Sequence, residues 1–260
     1  MTYDTLLLTH QDGVSTITLN RPPLNLLSEE LMTELAAAFD ALESRAETRA
    51  VILTGAGAKA FSAGADLGEE GRMTPERGRA FREAGRRLVE RIENFPKPVV
   101  SAVRGWCIGG GTGFAWVADI RIAAESAKFR AGDVYLGIIP TWSVGMVRLV
   151  HYIGRNRTLD LLMLGEDVSA AEALALGLVT RVVPDESFEA EVAKVGARLA
   201  AGAPLSFRAI KEAVRAQYRD TPDRAAVLEE RWAERILASH DSHEGITAFK
   251  EKRKPQFRGA

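Results

Sequence analysis

From Val51 to Arg121 the chain alternates short apolar, β-branched runs with helix-patterned stretches, punctuated by glycine and proline. A strand that gives way to a helix before the next strand begins pairs with it through a crossover, so an α/β core of βαβ-like units is expected. Residues 51–54, closed by Gly55, and residues 99–103 read as buried strands, with a further one at 119–123. Between the first two, Thr74 and Pro75 have the form of an N-cap and first helical residue. That helix carries Phe81, Leu88, Ile92 and Phe95 on one face, and Pro96 and Pro98 end it.

The flanks differ in pattern. Residues 5–10 and 14–19 surround Asp12-Gly13, which predicts an opening hairpin. Ser28 then caps a helix with Leu31, Leu35, Phe39 and Leu42 at helical spacing. In the last third, Ser169 and Glu172 form a capping box and Gly177 a C-cap, and helical patterns fill 188–201, 205–217 and 223–238. The expected division is a core at 1–183 that carries the site and a helical C-terminal subdomain at 184–260.

With 260 residues, 34 basic and 35 acidic, the formal net charge is -1. That balance offers no global field for nucleic acid or an anionic membrane, so neither is expected as a partner. The single cysteine, Cys107, excludes an internal disulfide and a cysteine zinc cluster, and reads as a small buried residue. No apolar run approaches the length of a membrane span and residues 1–10 lack a leader pattern, so a cytoplasmic location is expected. His240 and His243 lie one helical turn apart without a third ligand, and no metal site is expected.

Two loops carry candidate chemistry. Phe61-Ser62-Ala63-Gly64-Ala65-Asp66 follows a strand closely and is built of residues small enough to let a ligand reach the backbone. Ile108-Gly109-Gly110-Gly111 stands between a strand and a helix, where backbone N–H groups lack partners. Together they can form an oxyanion hole, one donor from each loop. As spacing alone, both are equally readable as turns.

These loops occur in a longer series: Asn20-Arg21-Pro22, Lys97-Pro98-Val99, Ala118-Asp119, Leu136-Gly137-Ile138-Ile139-Pro140, residues 171–179, and the ending Ala248-Phe249-Lys250-Glu251-Lys252-Arg253-Lys254. In kind and order the series resembles the crotonase (enoyl-CoA hydratase/isomerase) family. The resemblance implies an α/β fold that is a spiral of ββα units with a helical trimerisation subdomain, in homotrimers or homohexamers. It implies an acyl-CoA substrate whose thioester oxygen sits between the amides of Ala65 and Gly110. Coenzyme A is then part of the substrate, and no separate cofactor is implied. By the same likeness the backbone around Ala63, Ala65, Asp66 and Leu67 cradles the adenine and thioester, and Lys250 and Lys254 in the basic tail meet a phosphate of their own or a neighbouring subunit.

Hydratases of that family use two glutamates. The matching positions here are Gly113 and Asp133, so the glutamate pair is absent. Adding water across a double bond is easiest with two carboxylates, whereas one can remove a proton and return it at another carbon. Asp133 is therefore the expected proton carrier, for hydration or double-bond isomerisation of an enoyl-CoA. Gly113 makes room for a larger acyl group, and Trp142, where the family often has a glycine-rich loop, is a second acyl-pocket candidate.

Three other readings compete. Gly55-Ala56-Gly57-Ala58-Lys59-Ala60 fits a dinucleotide fingerprint, yet Ser62-Ala63-Gly64 follows where that fingerprint must open a helix. Ser143 with Asp160 and His240 or His243 gives a thioester hydrolase in α/β-hydrolase order, but Thr141 stands where the elbow needs glycine. A catalytically inactive acyl-CoA-binding protein is the non-enzyme reading.

Overall fold

The computed structural model describes residues 2–140, 145–219 and 222–260. Strands β1 (Leu6–Gln11) and β2 (Val14–Leu19) form the expected antiparallel hairpin. Along β2 Ser15, Ile17 and Leu19 are buried and their neighbours only partly so, the period of two that a strand imposes. Helix α1 (Glu29–Ser44) begins at Ser28, whose Oγ accepts the Leu31 N–H at 3.2 Å.

The chain then winds in turns, each laying one strand into a large sheet and the next into a small one. The first turn is β3 (Ala50–Gly55) and β4 (Ala60–Ser62), followed by α2 (Leu67–Glu70) and α3 (Pro75–Glu93). The second is β5 (Val99–Val103) and β6 (Trp106–Ile108), followed by α4 (Gly110–Trp116). The third is β7 (Ile120–Ala124) and β8 (Lys128–Arg130), then a 3-10 turn at Asp133–Leu136 and α5 (Gly145–Leu164). β9 (Val168–Ser169), α6 (Ala170–Leu176) and β10 (Arg181–Val183) complete the sheets. The large, six-stranded sheet has the order β1-β2-β3-β5-β7-β10 and the small, four-stranded one β4-β6-β8-β9. This is the ββα spiral that the family resemblance implies. α7 (Phe188–Ala200), α8 (Pro204–Arg219), α9 (Pro222–Leu237) and α10 (His240–Glu251) follow.

Strands β3 and β5 are apolar on both faces because both faces are covered. On one side α1 and α3 contribute Leu35, Phe39, Phe81 and Leu88, and the rings of Phe39 and Phe95 meet edge to face at 5.2 Å. On the other, Ile52, Val100, Ala102 and Ile122 pack against Phe188, Val192 and Val195 of α7. The predicted caps are present: Thr74 Oγ1 accepts the Arg77 N–H, Ser169 and Glu172 cap α6 reciprocally, and Gly177 ends it at φ 80°. Cys107 is buried, which pushes its thiol up.

Strands β4 and β6 are additions to the sequence reading. Each has three residues, too few to display a period of two, and each exists through its parallel partner. α5 is another: Gly154, at φ 77°, breaks the helical phase of its sequence. No described helix is long and apolar enough to cross a membrane.

Candidate active site

Because β4, β6 and β8 are adjacent and parallel, the loops leaving their C-terminal ends emerge side by side at one edge of the small sheet. Ala65, Gly110 and Asp133 stand just beyond those ends, one after each strand. The first two loops touch backbone to backbone. A Cβ on Gly64 would lie 2.9 Å from Ile108 O and 3.6 Å from Gly110 N, and one on Gly111 would lie 2.6 Å from Ser62 O. Glycine at these positions is therefore a condition of the approach, and Gly64 also sits at φ 89°.

The pairing of Leu27 with Ala65 decides where the Ala65 amide points. Leu27 N–H donates to Gly64 O at 2.9 Å and Asp66 N–H donates to Leu27 O at 3.0 Å. Both bonds belong to the neighbours of Ala65, so its own N–H faces away from Leu27, and Ala65 lines the cavity. Gly110 opens α4, where an N–H has no acceptor within the helix, while the preceding Gly109 N–H is already bound to Arg130 O at 3.0 Å. Among the described residues neither the Ala65 nor the Gly110 N–H meets an acceptor.

Residues 21–27 brace this loop. Ala63 N–H donates to Leu24 O at 2.9 Å, and the buried Asn25 donates from Nδ2 to Ala56 O and Ala60 O at 3.1 and 2.8 Å. Asn25 is a structural residue that the sequence reading omits. Its signal is an asparagine in a proline-rich turn, a residue that tolerates the left-handed backbone it adopts here, φ 49°.

The cavity has a volume of about 570 Å³. Ala63, Ala65, Leu67 and Gly110 line it on the amide side, and Asp133 with the apolar Leu136 and Ile138 line it from the 3-10 turn. Asp133 Oδ2 is buried and meets no hydrogen-bond partner among the described residues. Burial pushes the Asp133 carboxyl above its ordinary range, and a bond from its own backbone offsets this only in part.

The other predicted residues divide. Asp66 does not line the described cavity: its Oδ1 accepts the Glu69 N–H at 3.1 Å to cap α2, and its Oδ2 pairs with Arg21 at 3.4 Å. Gly113 is buried one turn beyond Gly110 in α4, outside the described lining. Lys250 and Lys254 are exposed near the end of α10, and neither is among the described lining of the cavity. Trp142 and Ser143 lie outside the described residues. Three charged residues of the lining, Glu70, Arg82 and Arg130, are not candidates from the sequence, because only tertiary packing turns them towards this space. The dinucleotide reading fails on geometry: after Gly55 the chain enters β4 and opens no helix.

A family model described as enoyl-CoA hydratase/isomerase matches residues 9–260. The chain belongs to the enoyl-CoA hydratase/isomerase family. A Bacillus subtilis (strain 168) protein named "Probable enoyl-CoA hydratase" is 39% identical over 248 residues, covering 95% of each chain. The short-chain-enoyl-CoA hydratase of Clostridium acetobutylicum is 34% identical, covering 98% of this chain and 97% of its own. The crystal structure of an enoyl-CoA hydratase from Bacillus anthracis superposes with a TM-score of 0.95 at 37% identity, over 99% of this chain and 100% of that one. Helix α4 of this member of the enoyl-CoA hydratase/isomerase family carries no carboxylate, Gly113 included.

Proposed function

We propose that this enzyme takes an enoyl-CoA with its thioester oxygen between the Ala65 and Gly110 N–H groups, and that Asp133 carries the proton to or from the acyl carbon. One observation supports this above the rest: two amides without acceptors and a carboxylate oxygen without a partner border the same cavity. As the thioester becomes an enolate, negative charge gathers on oxygen, so fixed N–H donors stabilise the transition state more than the ground state. A carboxylate whose proton affinity is raised by burial takes up a proton more readily than a fully solvated one.

With Gly113 in place of a carboxylate, a double-bond shift is the reaction that Asp133 performs unaided. Hydration is the second reading, favoured by relatives that are named hydratases. In it, Asp133 shares the proton work with a water or another group. Gly113 and Trp142 shape the acyl pocket, and Lys250 and Lys254 reach a coenzyme A phosphate across a subunit boundary. Residues 184–260 serve association into a homotrimer or homohexamer. The exposed Ile210, Val214, Leu237 and Phe249 support that role, since a single chain leaves them in water. Coenzyme A is part of the substrate, no further cofactor takes part, and the setting is the cytoplasm.

The test follows the ultraviolet absorbance of the conjugated thioester with 2-enoyl-CoA and 3-enoyl-CoA, for wild type and Asp133→Ala. Rising absorbance from the 3-enoyl substrate identifies an isomerase, and falling absorbance from the 2-enoyl substrate a hydratase. The variant should lose about 10²-fold or more in turnover while keeping its affinity for the thioester. A wild type that binds both thioesters and changes neither is an acyl-CoA-binding protein, and the catalytic reading is then wrong.

A further inference from the structure

Helix α3 is rich in arginine, and its arginines are paired with one exception. Arg77 meets Glu29, Arg79 meets Glu76, Arg86 meets Glu83 and Glu90, Arg87 meets Glu83, and Arg91 meets Asp40 and Glu43. Arg82 meets no carboxylate and no other acceptor among the described residues. It is half-buried, and it is the α3 arginine that lines the cavity. The other arginine of that lining, Arg130, is occupied, with Nε donating to Gly165 O at 2.9 Å and Nη1 lying 3.6 Å from Asp167.

A guanidinium is charged at any working pH and carries five donors, so holding one half out of water without a partner is costly. The straight hydrocarbon chain of a simple enoyl-CoA has nothing to offer it. A carboxylate does, through a bidentate, charge-assisted contact. Building on the enoyl-CoA reading above, we infer that Arg82 receives a carboxylate at the far end of the acyl group, so that the preferred substrate derives from a dicarboxylic acid. Glu70 lines the same cavity; among the described residues its carboxylate has no partner and forms no ion pair with Arg82. Its charge opposes an incoming carboxylate and limits the preference that Arg82 creates. A coenzyme A phosphate would satisfy Arg82 by the same chemistry. The pantetheine arm holds the phosphates away from the thioester, however, and Arg82 shares its cavity with the apolar Leu136, Ile138 and Ile139.

Calorimetric titration with butyryl-CoA and glutaryl-CoA tests this without turnover, because both are saturated and they differ at the terminal carboxylate. Wild type should bind glutaryl-CoA at least tenfold more tightly. Arg82→Met should erase that preference and leave butyryl-CoA affinity unchanged, which also reports that the variant is folded. Arg82→Lys should keep part of the preference, and Glu70→Gln should enlarge it. Equal binding of the two thioesters by wild type overturns the proposal while leaving the coenzyme A reading intact. An equal loss for both in Arg82→Met assigns Arg82 to a phosphate and overturns it as well. Binding of neither by wild type removes the coenzyme A reading and this inference with it.

Discussion

A methyl group on Gly64 would stand 2.9 Å from the carbonyl oxygen of Ile108, with the Gly110 amide nitrogen just beyond at 3.6 Å. Gly64→Ala must therefore push the two amide-bearing loops apart, and it adds a side chain at φ 89°. The expected result is a fall in kcat on the order of 10²- to 10³-fold, the usual cost of losing one oxyanion donor. Stability should fall by about 1 to 3 kcal/mol from backbone strain. Gly57 is the control. It too has positive φ, 78°, but an added Cβ would meet nothing within 4 Å. Gly57→Ala should lower the denaturant midpoint and leave kcat unchanged, and loss of activity there would show that strain alone accounts for the effect at Gly64.

Asp133 supplies a pH test. Burial raises its folded-state pKa above the unfolded value. The folded state therefore holds this proton more tightly, and the stability so gained is present below the unfolded pKa and lost as pH rises through the folded one. At a pH above the folded pKa the ionised, buried carboxylate weakens the fold. Asp133→Asn should raise Tm by roughly a degree or two at that pH. The difference should shrink as pH falls below the ordinary aspartate range. Turnover in wild type should lose its acid limb at a pH above that range. A variant with an unchanged Tm across the whole pH series would remove the burial argument.

What the sequence reveals and what it hides follow the range of the interactions. Ser28, Thr74 and the Ser169–Glu172 pair are legible because a cap joins a side chain to backbone within three residues of itself. Strand β5 is legible from its short, valine-rich run bounded by Pro98 and Gly105. β4 and β6 are not, since three residues become a strand only beside each other. Asp66 sits in the right motif, but only the fold shows its carboxylate capping α2 and facing Arg21. Arg82 is one arginine among several on α3, and the sequence cannot say which of them lacks an acidic neighbour.

Lys211 ties the C-terminal helices to the sheet. Its Nζ donates to Asp119 Oδ2 at 2.6 Å and to Lys97 O at 3.0 Å, and the same Asp119 oxygen accepts the Val99 N–H at 2.7 Å. The Lys211 side chain is 11% exposed and that of Asp119 26%. Removing Asp119 leaves the more buried Lys211 charge poorly solvated, so Asp119→Ala should cost about 1 to 3 kcal/mol in chemical unfolding and Lys211→Met, which leaves the more exposed carboxylate, about 1 kcal/mol. The double variant Asp119→Ala/Lys211→Met should cost less than the sum, because no lone charge remains. Additive losses would mean that the two residues act separately.

Arg148 and Glu93 form a fork-to-fork pair, with Nε and Nη2 donating to the two carboxylate oxygens at 3.0 and 2.8 Å. Both side chains are less than one-fifth exposed, at 18% and 17%. The pair fastens the first segment of α5 to the end of α3, and beyond the Gly154 kink the second segment meets the 3-10 turn that carries Asp133, where Tyr135 Oη donates to Met163 O at 3.4 Å. Lysine keeps the charge and loses the planar fork, so Arg148→Lys should cost about 1 to 2 kcal/mol of stability. Because α5 supports the turn rather than the amides, kcat should fall severalfold while thioester affinity is unchanged. A matching loss of affinity would place the effect at the amide loops, and an unchanged kcat would show that the Asp133 turn holds its position without α5.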